Sequence, residues 1–152
     1  MKPVKNIYIE KTPKTPEVDF NQQTGDLILD GRSIPENASK LYEPLLDWIG
    51  EYVKSPKLTT NLRLKLEYFN TASSIWLAKM VNTLSKIDKQ DSVLIVHLYF
   101  DAEDFDTMDL EELRDIVSLL SENTREAKTS IGVKAYGTGK DGRIVKESTI
   151  FI

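Results

Sequence analysis

The chain has 152 residues, 24 Asp and Glu against 20 Lys and Arg, a formal net charge of −4, 40% hydrophobic and 29% charged residues. This fits one globular domain, residues 1–152, whose core needs no covalent staples, and the acidic balance argues against non-specific nucleic-acid binding, which requires phosphate-neutralising basic surface. With no cysteine and a single histidine, His97, the chain by itself offers no disulfide framework, thiolate metal site, thiol nucleophile or multi-histidine metal site.

The N-terminal residues Met1–Asn6 lack the apolar core of a signal peptide. No apolar run approaches the ~20 residues of a membrane span, so a soluble cytoplasmic protein without membrane insertion is expected. Asn6 to Glu10 is a short strand candidate. Pro13 and Pro16 then rule out a central strand, because each removes a ladder donor. Val18–Phe20 and Leu27–Leu29 flank Asn21-Gln22-Gln23-Thr24-Gly25-Asp26, a hairpin pattern, and Gly31 is expected to close its second strand. Ser33 and Glu36 have capping-box spacing, with Pro35 in the first turn. The apolar stripe Leu41, Tyr42, Leu45, Ile49, Tyr52 and Val53 predicts a helix ending near Val53. Pro44 lies inside that stripe, so either the helix begins near it or one helix kinks there.

Leu58 to Phe69 alternates apolar and charged residues, the period of a half-buried strand, with Arg63, Lys65 and Glu67 on the outer face. Trp76, Met80, Leu84 and Ile87 then recur at helical spacing from Thr71 to about Lys89. Ser92 to Phe100 reads as a central strand, apolar apart from His97. Asp101 to Asp109 reads as an acidic loop, Leu110 to Leu120 as a helix, and Ile131–Tyr136 with Arg143–Phe151 as a second hairpin. The strand-helix-strand-helix-strand centre predicts an α/β (α+β) fold: a single mixed sheet with helices mainly on one face and a C-terminal hairpin extension.

Three stretches could hold chemistry. Asn70-Thr71-Ala72-Ser73-Ser74 joins a strand to a helix, and Asn, Ser and Thr are the preferred residues for capping a helix N-terminus. The same hydroxyls are candidate phosphate acceptors, because a phosphate there sits at the positive end of the helix dipole while changing the surface a partner meets. Asp101, Glu103, Asp104, Asp106, Asp109, Glu111 and Glu112 form an acidic cluster. Asp101, Glu103 and Glu112 match positions 1, 3 and 12 of a calcium loop, but Phe105 and Asp106 stand where that loop needs a ligand and a glycine. The alternatives are a solvated loop or a docking surface for a basic partner patch, using Asp101, Glu103, Asp104 and Asp106. Gly137-x-Gly139-x-x-Gly142 is followed by strand-like residues, so it reads as a hairpin turn rather than a dinucleotide fingerprint. His97 reads as a satisfied sheet histidine. No cofactor motif or catalytic triad is evident.

Thr15-Pro16-Glu17-Val18-Asp19-Phe20, Gly25-Asp26-Leu27, Gly31-Arg32-Ser33-Ile34-Pro35-Glu36-Asn37-Ala38, Tyr42-Glu43-Pro44, Trp48 and Tyr52 together resemble the N-terminal signature of the SiaC family of regulatory phosphoproteins. Tyr68-Phe69-Asn70-Thr71-Ala72-Ser73-Ser74 resembles that family's second signature. The family-like region covers about residues 1–108, and the helix and hairpin of 109–152 make a longer ending than is usual for the family. The resemblance implies a fold similar to STAS, the anti-sigma-factor antagonists. It implies a non-enzymatic partner switch in which a Ser/Thr protein kinase and a phosphatase act on the small protein. The unmodified form then engages a target, typically a diguanylate cyclase in cyclic-di-GMP signalling of bacteria. Thr71 matches the phosphoacceptor, with Ser73 and Ser74 as alternates, and Asn70, Thr71, Ser73 and Ser74 fall at the partner-binding joint. Two other readings stay open: a constitutive interaction module working through the 129–152 hairpin, and a divalent-metal enzyme built on the acidic loop.

Overall fold

The computed structural model describes residues 5–108, 110–120 and 127–151. In chain order the elements are β1 (Ile7–Ile9), β2 (Glu17–Asn21), β3 (Asp26–Ser33), α1 (Ala38–Tyr52), β4 (Thr59–Phe69), α2 (Thr71–Ser85), β5 (Val93–Asp101), α3 (Ala102–Thr107), α4 (Leu110–Leu120), β6 (Ser130–Thr138) and β7 (Ile144–Phe151). Among the described residues, seven strands form one mixed sheet in sequential order. β3, β4, β5 and β6 run parallel, and the pairs β1–β2, β2–β3 and β6–β7 are antiparallel.

The alternation expected of β4 is seen: Leu62 and Leu64 are buried while Lys65 and Glu67 are exposed. The buried face continues through Val18, Phe20, Leu27, Leu29, Leu94, Val96, Leu98, Val133 and Ala135. Onto it pack Tyr42, Leu45, Ile49 and Tyr52 of α1, Leu77, Met80 and Leu84 of α2, and Leu113, Val117 and Leu120 of α4. Helices on one face of a sheet leave the other face polar, and here that face bears a bonded network. Arg63 donates to the Tyr99 hydroxyl at 2.8 Å and stands 3.5 Å from Asp26, and Lys65 lies 5.2 Å from the Tyr99 ring centre.

Several boundaries differ from expectation, each for a tertiary reason. Ser33 does not cap α1. It ends β3, and Asn37 caps α1 instead, its side chain accepting from the Lys40 amide at 3.3 Å. Gly31 does not close β3 but sits inside it at φ +130°, where the register with β4 shifts, a conformation that only a residue without Cβ adopts easily. α1 is one helix from Ala38 through Pro44. Pro44 is exposed, so solvent is at hand for the carbonyl it leaves unbonded. α2 stops at Ser85 rather than Lys89, because the Ser85 carbonyl accepts from the Lys128 amide at 3.0 Å. The acidic segment is not a loop from 102 to 107: Asp101 caps α3 by accepting from the Glu103 amide at 2.9 Å. Phe105 of α3 packs on Gly137, where an added Cβ would come within 3.1 Å of it. Asp109 lies outside the described residues.

Candidate functional site

β4 delivers its chain end beside that of β3, with Ser33 opposite Phe69. Asn70 then turns the chain. Its extended backbone and side chain cap α2, the side chain accepting from the Ser73 amide at 2.9 Å, and its carbonyl accepts from the Ser74 amide at 3.0 Å. Its own amide donates to the Ser33 carbonyl at 3.0 Å. Thr71 is therefore the first residue of α2, where amides have no intrahelical acceptor and the helix dipole favours negative charge. No acidic residue occupies the first turn.

The three hydroxyls of the joint have different surroundings. Thr71 is exposed, and its hydroxyl has no hydrogen-bond partner among the described residues. Ser74 is 6% exposed and donates to the Thr71 carbonyl at 2.7 Å. Ser73 is fully buried and donates to the Ser33 carbonyl at 3.0 Å. The Ser73 proton is thereby committed, so in the 2.8 Å contact between the two serine hydroxyls Ser33 is the donor. It follows that the Tyr42 hydroxyl donates to Ser33 Oγ. Three buried hydroxyls thus form one directed chain, Tyr42 to Ser33 to Ser73 to the Ser33 carbonyl. Burial raises the Tyr42 pKa, only partly offset by its two serine neighbours, so the phenol stays protonated and able to donate. The Tyr42 ring lies parallel to Trp76 of α2, centroids 6.4 Å apart.

Of the residues expected at this site, Asn70 and Thr71 come together at the surface, and Ser73 and Ser74 lie beneath it. Sequence reading missed Ser33 and Tyr42. Ser33 fits a local capping pattern, but its hydroxyl bonds Tyr42, nine residues on, and Ser73, 40 residues on. The available clue was Asn37, a competing N-cap directly before the apolar stripe.

Asp101 ends β5, the neighbour of β4, so the acidic segment starts on the same carboxyl-end rim of the sheet as Thr71. Asp101, Glu103, Asp104 and Asp106 are exposed, and Asp106 pairs with Lys146 of β7. Asp101 and Asp104 border a recess of about 710 Å³ that also touches Lys65, Glu67, Tyr99 and Thr138. Among the described residues, no three His, Asp or Glu side chains converge as a metal site. Gly139 and Gly142 form the β6–β7 turn, Gly142 at φ +80° and donating to the Gly139 carbonyl at 2.9 Å. His97 bonds through Nδ1 to the Tyr136 hydroxyl at 2.7 Å and through Nε2 to Asn61 Oδ1 at 2.8 Å. Burial first, and then Arg63 and Lys134, lower its pKa to about 4, so it is neutral at physiological pH.

The family model described as SiaC family regulatory phosphoprotein matches residues 9–129. The chain is 25% identical over 111 residues, 72% of its length and 88% of the other, to "Uncharacterized protein PA14_02130" of Pseudomonas aeruginosa strain UCBPP-PA14. It superposes on apo-SiaC from Pseudomonas aeruginosa with a TM-score of 0.63 and 22% identity, covering 85% of this chain and 98% of that one. It also superposes on a chain of the crystal structure of the diguanylate cyclase SiaD in complex with its activator SiaC from Pseudomonas aeruginosa. There the TM-score is 0.66 at 21% identity, covering 86% of this chain and 99% of that one. At these identities the superpositions show a shared fold.

Proposed function

The chain belongs to the SiaC family of regulatory phosphoproteins, and we propose that it is a non-enzymatic cytoplasmic switch of a partner-switching system, phosphorylated reversibly at Thr71. A Ser/Thr kinase adds the phosphate and a phosphatase removes it. The unmodified protein binds and activates a diguanylate cyclase, in the manner of SiaC, the activator bound to the diguanylate cyclase SiaD in the Pseudomonas aeruginosa complex. One observation supports this reading above the others: Thr71 alone among the joint's three hydroxyls is exposed and, among the described residues, without a hydrogen-bond partner, and it stands at the N-terminus of α2.

A phosphate there adds about −1.5 to −2 charges at a place where the helix tolerates them, so the fold persists while the surface changes sign. A partner that presents apolar or acidic groups to this rim then loses contact or meets repulsion. A discrimination of about 3 kcal/mol suffices for a hundredfold change in affinity.

The test has two parts. Intact-mass and fragment spectrometry of protein from its native cells should place a phosphoryl group on Thr71. Titration of the cognate cyclase should show roughly a hundredfold weaker binding by Thr71→Asp, a variant expected to melt no lower than wild type because its carboxylate complements the dipole. Binding of Thr71→Asp equal to wild type would refute the switch.

A further inference from the structure

We propose that the buried hydroxyl chain Tyr42–Ser33–Ser73 selects and positions the phosphorylation site, making Thr71 the sole acceptor of the joint. The inference rests on Thr71 being the acceptor. In the transfer, Thr71 Oγ1 attacks the terminal phosphorus of a nucleoside triphosphate held by the kinase. The new O–P bond forms as the bond to the diphosphate leaving group breaks, and the hydroxyl proton passes to a base of the kinase.

Such a step needs a hydroxyl that is reachable and free of a competing bond. Ser73 is neither: it is fully buried, donates to the Ser33 carbonyl at 3.0 Å and accepts from Ser33 Oγ at 2.8 Å. For Ser73 to reach a kinase, the first turn of α2 must unwind and give up both bonds together with the Asn70 cap. Ser74 is released by the same unwinding, since its proton is held by the Thr71 carbonyl. The Ser33 carbonyl accepts from the Asn70 amide and from Ser73 Oγ, both at 3.0 Å. Residues on both sides of Thr71 are therefore tied to one atom of the neighbouring strand. Ser33 is in turn held by Tyr42, whose ring is fully buried and parallel to Trp76 of α2. One chain of hydroxyls thus fixes β3, α1 and α2 around the exposed threonine. This gives the two signature segments, linked by the bond between Ser33 and Ser73 40 residues apart, a joint purpose: the first supplies the anchor and the second supplies the acceptor that it presents.

Ser33→Ala and Tyr42→Phe each delete one hydroxyl of the chain with little change of shape, and Tyr42→Phe keeps the ring on Trp76. The full chain carrying each substitution, expressed in the native cells, is compared with wild type by site-resolved phosphopeptide spectrometry. A Val133→Ala core variant, remote from the joint, controls for lost stability. The expected result is all phosphate on Thr71 in wild type and in Val133→Ala. In Ser33→Ala and Tyr42→Phe, Thr71 occupancy should fall roughly fivefold, the factor that matches one net hydrogen bond, and phosphate should appear on Ser73 or Ser74. Unchanged occupancy and unchanged exclusivity in both variants would overturn the inference. So would a Val133→Ala control that behaves as they do. Absence of phosphate from wild type itself would instead overturn the reading of Thr71, and the inference with it.

Discussion

Asn70 satisfies both chain directions at the joint, accepting from two amides of α2 and donating one bond back to β3. A residue so occupied is a structural part of the site, and Thr71 beside it is left free to change. His97 shows the same economy on the open sheet face. With Asn61 accepting at Nε2, the ring is the Nε2–H tautomer, and Nδ1 accepts from Tyr136. Its folded pKa of about 4 lies below the unfolded value of 6.5, so unfolding takes up a proton as the pH falls. The resulting stability is fully present above pH 6.5 and is lost between about 6.5 and 4, by up to roughly 3 kcal/mol. Urea unfolding of His97→Gln across that range should show a shallower decline than wild type; parallel curves would refute the account. This residue was legible from its place between apolar neighbours in a strand. Ser33 was not, because its sequence neighbours spell a capping box while its hydroxyl answers to Tyr42 and Ser73. Local patterns report local bonds, and this one is tertiary.

Elements were legible where one face is apolar and the other wet. β4 and α1 announce themselves by period: Leu62 and Leu64 of β4 and Tyr42, Leu45, Ile49 and Tyr52 of α1 are buried as the period selects, whereas Leu41 and Val53 are only partly buried and Leu58 and Tyr68 are exposed. Termini were less legible, since they are set by contacts with distant residues: Lys128 ends α2, and Phe105 on Gly137 fixes α3 against β6. Pro44 shows packing overriding propensity. A proline in a helix interior costs about 3 kcal/mol relative to alanine, yet α1 runs through it because Tyr42, Leu45, Trp48, Ile49 and Tyr52 are all buried along one face. Pro44 itself is exposed, so replacing it sacrifices no core contact. Pro44→Ala should therefore raise the stability of the protein, by about 1–3 kcal/mol in urea unfolding. A lowered midpoint would mean that the ring, though exposed, supports the packing of α1.

At the scale of the molecule, the C-terminal hairpin is two things at once. The sequence marks it as an extension, and the family match ends at residue 129, just before it. Yet β6 pairs with β5 from Val93 to Asp101 and adds Val133 and Ala135 to the core, whereas β7 is an edge strand. A chain ending at residue 129 would leave β5 as a long apolar edge, an invitation to aggregation, and would uncover Leu94, Val96 and Leu98. Its loss of partner binding would then report unfolding rather than a lost interface. A chain ending after Gly139 keeps β6 and removes only β7, so it is the variant that separates the two effects. The first truncation should be insoluble or bind a hydrophobic dye such as ANS, and the second should unfold cooperatively with a lowered midpoint. If the shorter chain unfolds cooperatively and keeps its near-ultraviolet circular dichroism, β6 is dispensable. The sheet would then close at β5, and the hairpin would be the appendage its sequence suggests.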